Sequence, residues 1–306
     1  MAKILFCHPM FLSKSPKEEA AGSPYFPLGL LYLAGYVRQQ GHEVAMFDAT
    51  FAKDESAFAA ALQQERPDLV GISALLPTRE MALILAQMAQ EAGAVVVMGG
   101  PDPTKKPAFY AEQPQVDVVV HHEGEQTITA LLDLFDAGRL TAPTFSRGQA
   151  VSLQKELGIA FKHNGQLIIN HPRPPIDNID TLPLPARDLI DMDRYLNVWQ
   201  EMNGYTSMTI STTRGCPYGC EWCQDAVHGA QFRQRSPESV AAEVKMLKET
   251  YQFDRLRVID DVDGIEREWF EAWAEVAEAE DAVVPFEALN KLERTDLPQL
   301  EALDSL

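Results

Sequence analysis

Cysteine is scarce in this 306-residue chain, which contains four. So few thiols, three of them in one short segment, exclude the disulfide framework that holds small secreted domains and fit a reducing compartment. A run of eighteen apolar residues is also missing, so no membrane-spanning helix is expected. Met1-Ala2-Lys3-Ile4 opens directly into a strand-like stretch, which gives no sign of a signal peptide. Basic residues are in deficit, 26 against 45 acidic, for a net charge of −19. From residue 260 onward there are 3 basic against 15 acidic side chains. Such a surface repels phosphodiester backbones, and a nucleic-acid partner is not expected. These absences lead to a cytoplasmic, soluble protein. With 46% hydrophobic residues, ordinary cores can form, and the length suggests about two domains.

The most informative feature is Cys216-Pro-Tyr-Gly-Cys220-Glu-Trp-Cys223. Thiolates at intervals of four and three can hold three irons of a [4Fe–4S] cluster and leave the fourth open to a ligand. A structural zinc is the competing reading. It usually takes two CxxC-like pairs, and the second pair is missing, although His228 is available as a fourth ligand. The fourth cysteine, Cys7, ends the first strand and reads as a small buried hydrophobe.

Residues 1–140 alternate strand and helix. Apolar runs at 3–7, 43–49, 69–73, 94–100 and 116–122 predict five strands. The stripes Leu30/Leu31/Ala34/Val37, Met81/Ile84/Leu85/Met88 and Ile128/Leu131/Leu132/Phe135 predict helices closed by Gly41, Gly93 and Gly138. Continuous apolar strands joined by helices imply a parallel sheet covered on both faces, of flavodoxin-like doubly wound type. Ligands of such sheets lie beyond the carboxyl ends of the strands. Here those ends read Cys7-His8-Pro9, Ser73-Ala74-Leu75, Gly99-Gly100-Pro101 and His122-Glu123-Gly124-Glu125. His121 and His122 do not read as a metal pair, because neighbours on a strand point to opposite faces.

Residues 141–207 break the alternation and read as a connector. Segments 158–163 and 166–170 flank Asn164-Gly165, a strong hairpin signal, and a proline-rich stretch follows. Residues 208–306 then resume with a strand at 208–213, the cysteine loop, and a helix capped by Ser236 with Pro237 at its first position. A strand at 255–259, a helix marked by Trp269, Trp273 and Val276, and a strand at 285–289 come next, with a short helix from Asp296.

The cysteine loop after a strand resembles that of the radical S-adenosylmethionine (SAM) enzymes. Pro27-Leu28-Gly29-Leu30-Leu31-Tyr32-Leu33-Ala34, Gly41-His42-Glu43-Val44, Gly71-Ile72-Ser73, Gly99-Gly100-Pro101 and Gly124-Glu125 match, in order and spacing, the cobalamin domain of the B12-dependent members. The resemblance implies a flavodoxin-like B12-binding domain followed by a partial radical SAM (β/α) barrel. Three β/α units are expected where a complete barrel has about six, so a partner or a further segment would complete it. Cobalamin would meet Pro27, Leu28, Gly29, Ser73, Gly99, Gly100, Glu123, Gly124 and Glu125. The Asp-x-His-x-x-Gly loop that ligates cobalt in cobalamin mutases is absent after the first strand, so no histidine on cobalt is implied, and His8 reads as structural. Cys216, Cys220 and Cys223 would hold the cluster. Trp222 would lie against the SAM adenine, and Asp260 or Asp261 would receive the SAM ammonium. Arg214, Arg233 and Arg235 flank the loop, positioned to hold a carboxylate or to screen the cluster.

The implied activity is methyl transfer to an unactivated carbon of a small-molecule substrate through a 5′-deoxyadenosyl radical. An electron donor such as flavodoxin or ferredoxin would feed the cluster. Two other readings stay open: a cobalamin-assisted cyclase or oxidative rearrangement enzyme, and a module that binds cobalamin and a cluster without turnover. A methylthiotransferase is disfavoured, because its amino-terminal domain carries three cysteines and this one has Cys7 alone.

Overall fold

The computed structural model describes residues 1–141, 147–221, 223, 227–262 and 267–289. They form two compact units. One comprises residues 1–19, 29–176 and 185–190, the other residues 20–28, 177–184 and 191–306.

Strand β1 (Lys3–His8) is followed by the short helix α1 (Pro16–Ala21). Next come α2 (Leu28–Gln39), β2 (Glu43–Asp48), α3 (Ser56–Glu65), β3 (Leu69–Ser73), α4 (Arg79–Glu91) and β4 (Val95–Gly99). Two short helices, α5 (Pro101–Lys105) and α6 (Pro107–Ala111), lead to β5 (Val118–Val120) and α7 (Glu125–Asp136). The five strands are parallel in the order β2-β1-β3-β4-β5, the flavodoxin-like order that places a ligand crevice at the carboxyl ends of β1 and β3. Alternation along the strands supplies two cores. Ile4, Phe6, Val95, Val97, Val118 and Val120 belong to one, while Leu5, Cys7, Val70, Ile72, Val96 and Met98 belong to the other. Burial on both faces explains why the strands read as unbroken apolar runs.

The α4 stripe is rotated from the expected one. Ala82, Leu85, Ala86 and Ala89 are buried, whereas Ile84 is 41% exposed. Alanines carry so little side chain that the helix lies close on the sheet, and the larger residues move to its flanks. Gly41, Gly93 and Gly138 close their helices at φ of 92°, 88° and 67°.

A second difference concerns the hairpin. After α8 (Arg147–Leu153), β6 (Ile159–His163) and β7 (Gln166–Ile169) form it as expected, with Asn164 and Gly165 both at positive φ. The hairpin does not stand in a connector, however. β6 pairs antiparallel with β5, making a seven-stranded mixed sheet. Ile159 and Phe161 enter the core of the first unit, and so does Ala186 from the later proline-rich stretch.

In the second unit, α9 (Met192–Asn203) is capped by the Asp191 carboxylate and closed by Gly204 at φ 77°. Strand β8 (Ser207–Ile210) follows, then a two-stranded antiparallel ribbon of β9 (Thr213–Arg214) and β10 (Arg233–Gln234). Helix α10 (Pro237–Thr250), β11 (Arg255–Val258), α11 (Arg267–Ala279) and β12 (Phe286–Glu287) complete the described residues. β8, β11 and β12 are parallel neighbours, joined by helices in β/α succession. Ser236 caps α10 through its hydroxyl, which accepts from the Ser239 N–H at 3.2 Å, and Pro237 takes the first position. Trp273 packs at ring-centroid distances of 5.3 Å from both Trp269 and Phe286. The helix expected from Asp296 lies outside the described residues. No helix among those described is long and apolar enough to cross a membrane.

Candidate functional site

Two sets of residues carry the candidate chemistry, one in each unit. In the first unit they lie on the carboxyl rim of the sheet. Gly99 ends β4, and Gly100 continues at φ 97°. A Cβ on Gly100 would stand 2.7 Å from Ser73 Oγ and 3.1 Å from both the nitrogen and the oxygen of Ala74, so only glycine fits between the β3 and β4 ends. The contact is held by the Ala74 N–H, which donates to the Gly99 carbonyl at 2.8 Å, and by the Asp102 N–H, which donates to the Ala74 carbonyl at 3.1 Å. Asp102 is buried and accepts two hydrogen bonds from Arg79, at 2.6 and 2.7 Å, and one from the Tyr110 hydroxyl at 2.5 Å. The Arg79 guanidinium lowers the Asp102 pKa, and burial raises that of Tyr110. This network fixes the turn, and the sequence reading missed it.

The fourth strand end, His121 to Glu125, differs from expectation. β5 stops at Val120, and His122 adopts φ 64°, so the alternation rule for neighbouring strand residues does not apply. The two imidazoles lie edge to face with centroids 5.4 Å apart. The His121 ring is buried, and its Nε2 has no hydrogen-bond partner among the described residues. Burial, then the neighbouring His122, lowers the His121 pKa. Glu123 is buried and accepts from the Ile176 N–H at 3.0 Å. Glu125, the first residue of α7, is also buried. At Gly124, a Cβ would stand 3.1 Å from Leu33 Cδ2 on α2. The segment expected to act as one motif at 27–29 is divided: Pro27 and Leu28 are buried in the second unit, and Gly29 is an exposed residue of the first. His8 is half-buried and its pKa is lowered by desolvation. Cys7 is fully buried, which pushes its thiol up, as suits a packing residue.

In the second unit, the cysteine segment lies between the two arms of the β9–β10 ribbon. Gly215 follows β9 at φ 82°, and a Cβ there would meet the Gln231 carbonyl oxygen at 2.2 Å. The Cys216 N–H donates to the Gly229 carbonyl at 3.1 Å, closing the base of the loop. Cys216 is buried, Cys220 half-buried and Cys223 exposed, and none is in a disulfide. The Cys223 N–H donates to the Cys220 carbonyl at 3.0 Å, so these two share one turn. Among the described residues, no three metal-binding side chains converge; the donor set itself, three thiols at intervals of four and three, is what suits a cluster. Trp222 lies outside the described residues.

Asp260, expected with Asp261 to receive the SAM ammonium, has hydrogen-bond partners within the chain. It is buried, and its Oδ1 accepts from Ser211 Oγ at 2.9 Å and from the Thr212 N–H at 2.8 Å, while Oδ2 accepts from the Thr212 hydroxyl. It thus anchors the entry to the loop, and exposed Asp261 is the member of the pair at the surface. Arg235 is buried too. It pairs with Glu243, donates to the Ser211 carbonyl at 3.1 Å, and gives its own N–H to the Thr212 carbonyl at 2.9 Å. Arg214 and Arg233 are likewise buried, and the Arg233 Nε donates to the Gln231 carbonyl at 3.3 Å. Arg233 and Arg235 thus tie down the segments on either side of the loop.

Residues 19–132 match the B12 binding domain family. The chain is 34% identical over 265 residues to an uncharacterised methyltransferase of Pyrococcus horikoshii, an alignment covering 85% of this chain and 53% of that protein. It is 28% identical over 274 residues to the anaerobic magnesium-protoporphyrin IX monomethyl ester cyclase of Rubrivivax gelatinosus, covering 88% of this chain and 46% of the cyclase. Among solved structures, the radical SAM methyltransferase TsrM of Kitasatospora setae with cobalamin and a [4Fe–4S] cluster bound superposes with a TM-score of 0.77. The identity is 16%, with 100% of this chain and 57% of that one covered. The chain spans about half the length of the curated relatives it matches.

Proposed function

The chain belongs to the cobalamin-dependent radical SAM enzymes by its B12-binding domain at residues 19–132 and by its fold, and from that premise we propose that it takes part in transferring a methyl group to an unactivated carbon of a small molecule. The observation that carries the reading is a three-thiol loop, braced by its own ribbon at the end of a parallel strand, in a chain that also holds a B12-binding domain. The residues fit both groups. Cys216, Cys220 and Cys223 offer thiolates in cluster spacing, and the rim of the first sheet offers the glycine cradle at Gly100 and the orphaned Nε2 of His121. When bound, the cluster with SAM would supply radical chemistry, and cobalamin would supply the methyl group.

The protein's own contribution is placement. Asp260 and Arg235 hold Thr212 from two sides, and that fixes where the cysteine loop starts. Trp222 and Asp261 are proposed to meet the adenine and ammonium of SAM. Ser73, Gly99 and Gly100 would let the corrin approach backbone closely, while buried Glu123 and Gly124 keep the rim in shape. A low-potential donor such as flavodoxin or ferredoxin would deliver the electron.

The cyclase of Rubrivivax gelatinosus supports a second reading, cobalamin-assisted ring closure or oxidative rearrangement. Anaerobic reconstitution with iron, sulfide and hydroxocobalamin, followed by product analysis with SAM and reductant, separates the two. Methyl transfer yields S-adenosylhomocysteine together with 5′-deoxyadenosine, and cyclisation yields 5′-deoxyadenosine alone. Iron should load at about four per chain, as the cluster type requires. Replacement of Cys216, Cys220 or Cys223 by Ala should abolish loading, whereas Cys7→Ala should leave it intact. Full iron in Cys220→Ala would overturn the assignment.

A further inference from the structure

Four described non-glycine residues adopt positive φ: Arg66, His122, Asn164 and Asp281. Three of them have an ordinary reason. Arg66 closes α3, Asn164 is in the hairpin turn, and Asp281 follows the end of α11; all are exposed. His122 is the exception, half-buried directly beyond a parallel strand on the rim where doubly wound sheets bind ligands. A left-handed backbone at a residue other than glycine costs on the order of 1 kcal/mol, and such strain collects where a side chain has a task.

The surroundings hold this conformation in place. Thr104 Oγ1, from the short helix α5, accepts from the His122 N–H at 3.0 Å, and the Thr104 N–H itself donates to the Gly100 carbonyl at 3.0 Å. The carboxyl ends of β4 and β5 are thereby tied through one threonine. The acidic neighbour Glu123 is turned inward onto the Ile176 N–H. Behind His122 lies the buried His121 ring, 5.4 Å away, with its partnerless Nε2. The rim thus carries a histidine where the backbone would more easily carry glycine, with the buried His121 ring beside it.

We infer that His122 is a ligand contact of the cobalamin site, its imidazole hydrogen-bonding an amide side chain on the periphery of the corrin. The assignment rests on the cobalamin reading above and adds to it a residue of the ligand-side strand ends that was not among the expected cobalamin contacts. Glycine at this position would relax the backbone and remove the contact. Asparagine tolerates positive φ and keeps both donor and acceptor.

The test is hydroxocobalamin binding to the full chain, by absorbance titration, together with thermal melting, for wild type, His122→Gly and His122→Asn. His122→Gly should melt at or slightly above the wild-type temperature, yet bind cobalamin about three- to tenfold more weakly, the loss of one net hydrogen bond. His122→Asn should recover most of the affinity. Equal affinity in His122→Gly and wild type would overturn the role of His122 and leave the cobalamin reading standing. No binding by wild type would overturn both. Nitrogen superhyperfine splitting in the Co(II) spectrum that vanished in His122→Gly would also overturn the amide contact, since the imidazole would then be on the metal.

Discussion

Asp117 shows how one residue carries a testable pH dependence. It precedes β5, is 6% exposed, and accepts from the Val96 N–H at 2.8 Å. Burial pushes its carboxyl up to about 6, against the single backbone hydrogen bond that lowers it. The folded state therefore keeps the proton to a higher pH than the unfolded chain, whose carboxyl titrates near 4. Below about pH 4 both states are protonated. As pH rises from there through about 6, the folded state must bury a charge, and stability falls by up to about 3 kcal/mol before levelling. Asn at this position can still accept from Val96 and carries no proton to lose. Urea denaturation at pH 4.5 and 7 should show a decline in wild type that is smaller in Asp117→Asn. Parallel pH profiles would show that the Asp117 carboxyl is not perturbed as the burial argues.

At the scale of elements, the β9–β10 ribbon sets the cysteine loop. Its arms approach so closely at Gly215 that a methyl group would overlap the Gln231 carbonyl oxygen, at 2.2 Å, on a backbone already at φ 82°. Gly215→Ala should therefore open the loop base while leaving the two β/α cores, which it does not touch, intact. The expected result is a near-native far-UV spectrum with iron loading cut by half or more after anaerobic reconstitution. Full loading would show that the ribbon is not needed to hold the thiols. Helix α10 illustrates the opposite case, where sequence and structure agree: Ser236, Pro237 and the stripe Val240, Val244 and Leu247 all lie as local rules require.

For the whole molecule, the described residues of the second unit supply three parallel strands, against about six in a complete radical SAM barrel. The chain covers about half of its curated relatives. The proposed cluster thiols and the proposed cobalamin rim both lie within residues 1–306, and a SAM pocket also needs walls that align the cofactor and exclude water. Residues 1–306 are expected to load iron and bind cobalamin, yet to form 5′-deoxyadenosine at least tenfold more slowly than a longer protein carrying further β/α units. The measurement is 5′-deoxyadenosine per cluster under dithionite, with and without those units. Equal rates would mean that the strands present suffice.

Much of this was determined by the sequence alone. The parallel strands of the first sheet are legible because burial on both faces, complete for all but the edge strand β2, demands apolar runs. The Asn164-Gly165 turn is legible because two adjacent positive-φ residues have few alternatives. The cysteine spacing is legible because it is a local pattern, three thiols within eight residues. The tertiary structure decided what depends on neighbours distant in sequence. It put the hairpin onto β5 rather than in a connector, because β5 had an open edge and Ile159 and Phe161 had a core to enter. It spent the Asp260 carboxylate on Thr212, 48 residues away, where buried donors required an acceptor. It tied the left-handed backbone at His122 to Thr104, a partner on helix α5 eighteen residues away. Local periodicity encodes which face of an element is apolar. It does not encode which buried donor will find which acceptor, because that is settled only when separate elements pack.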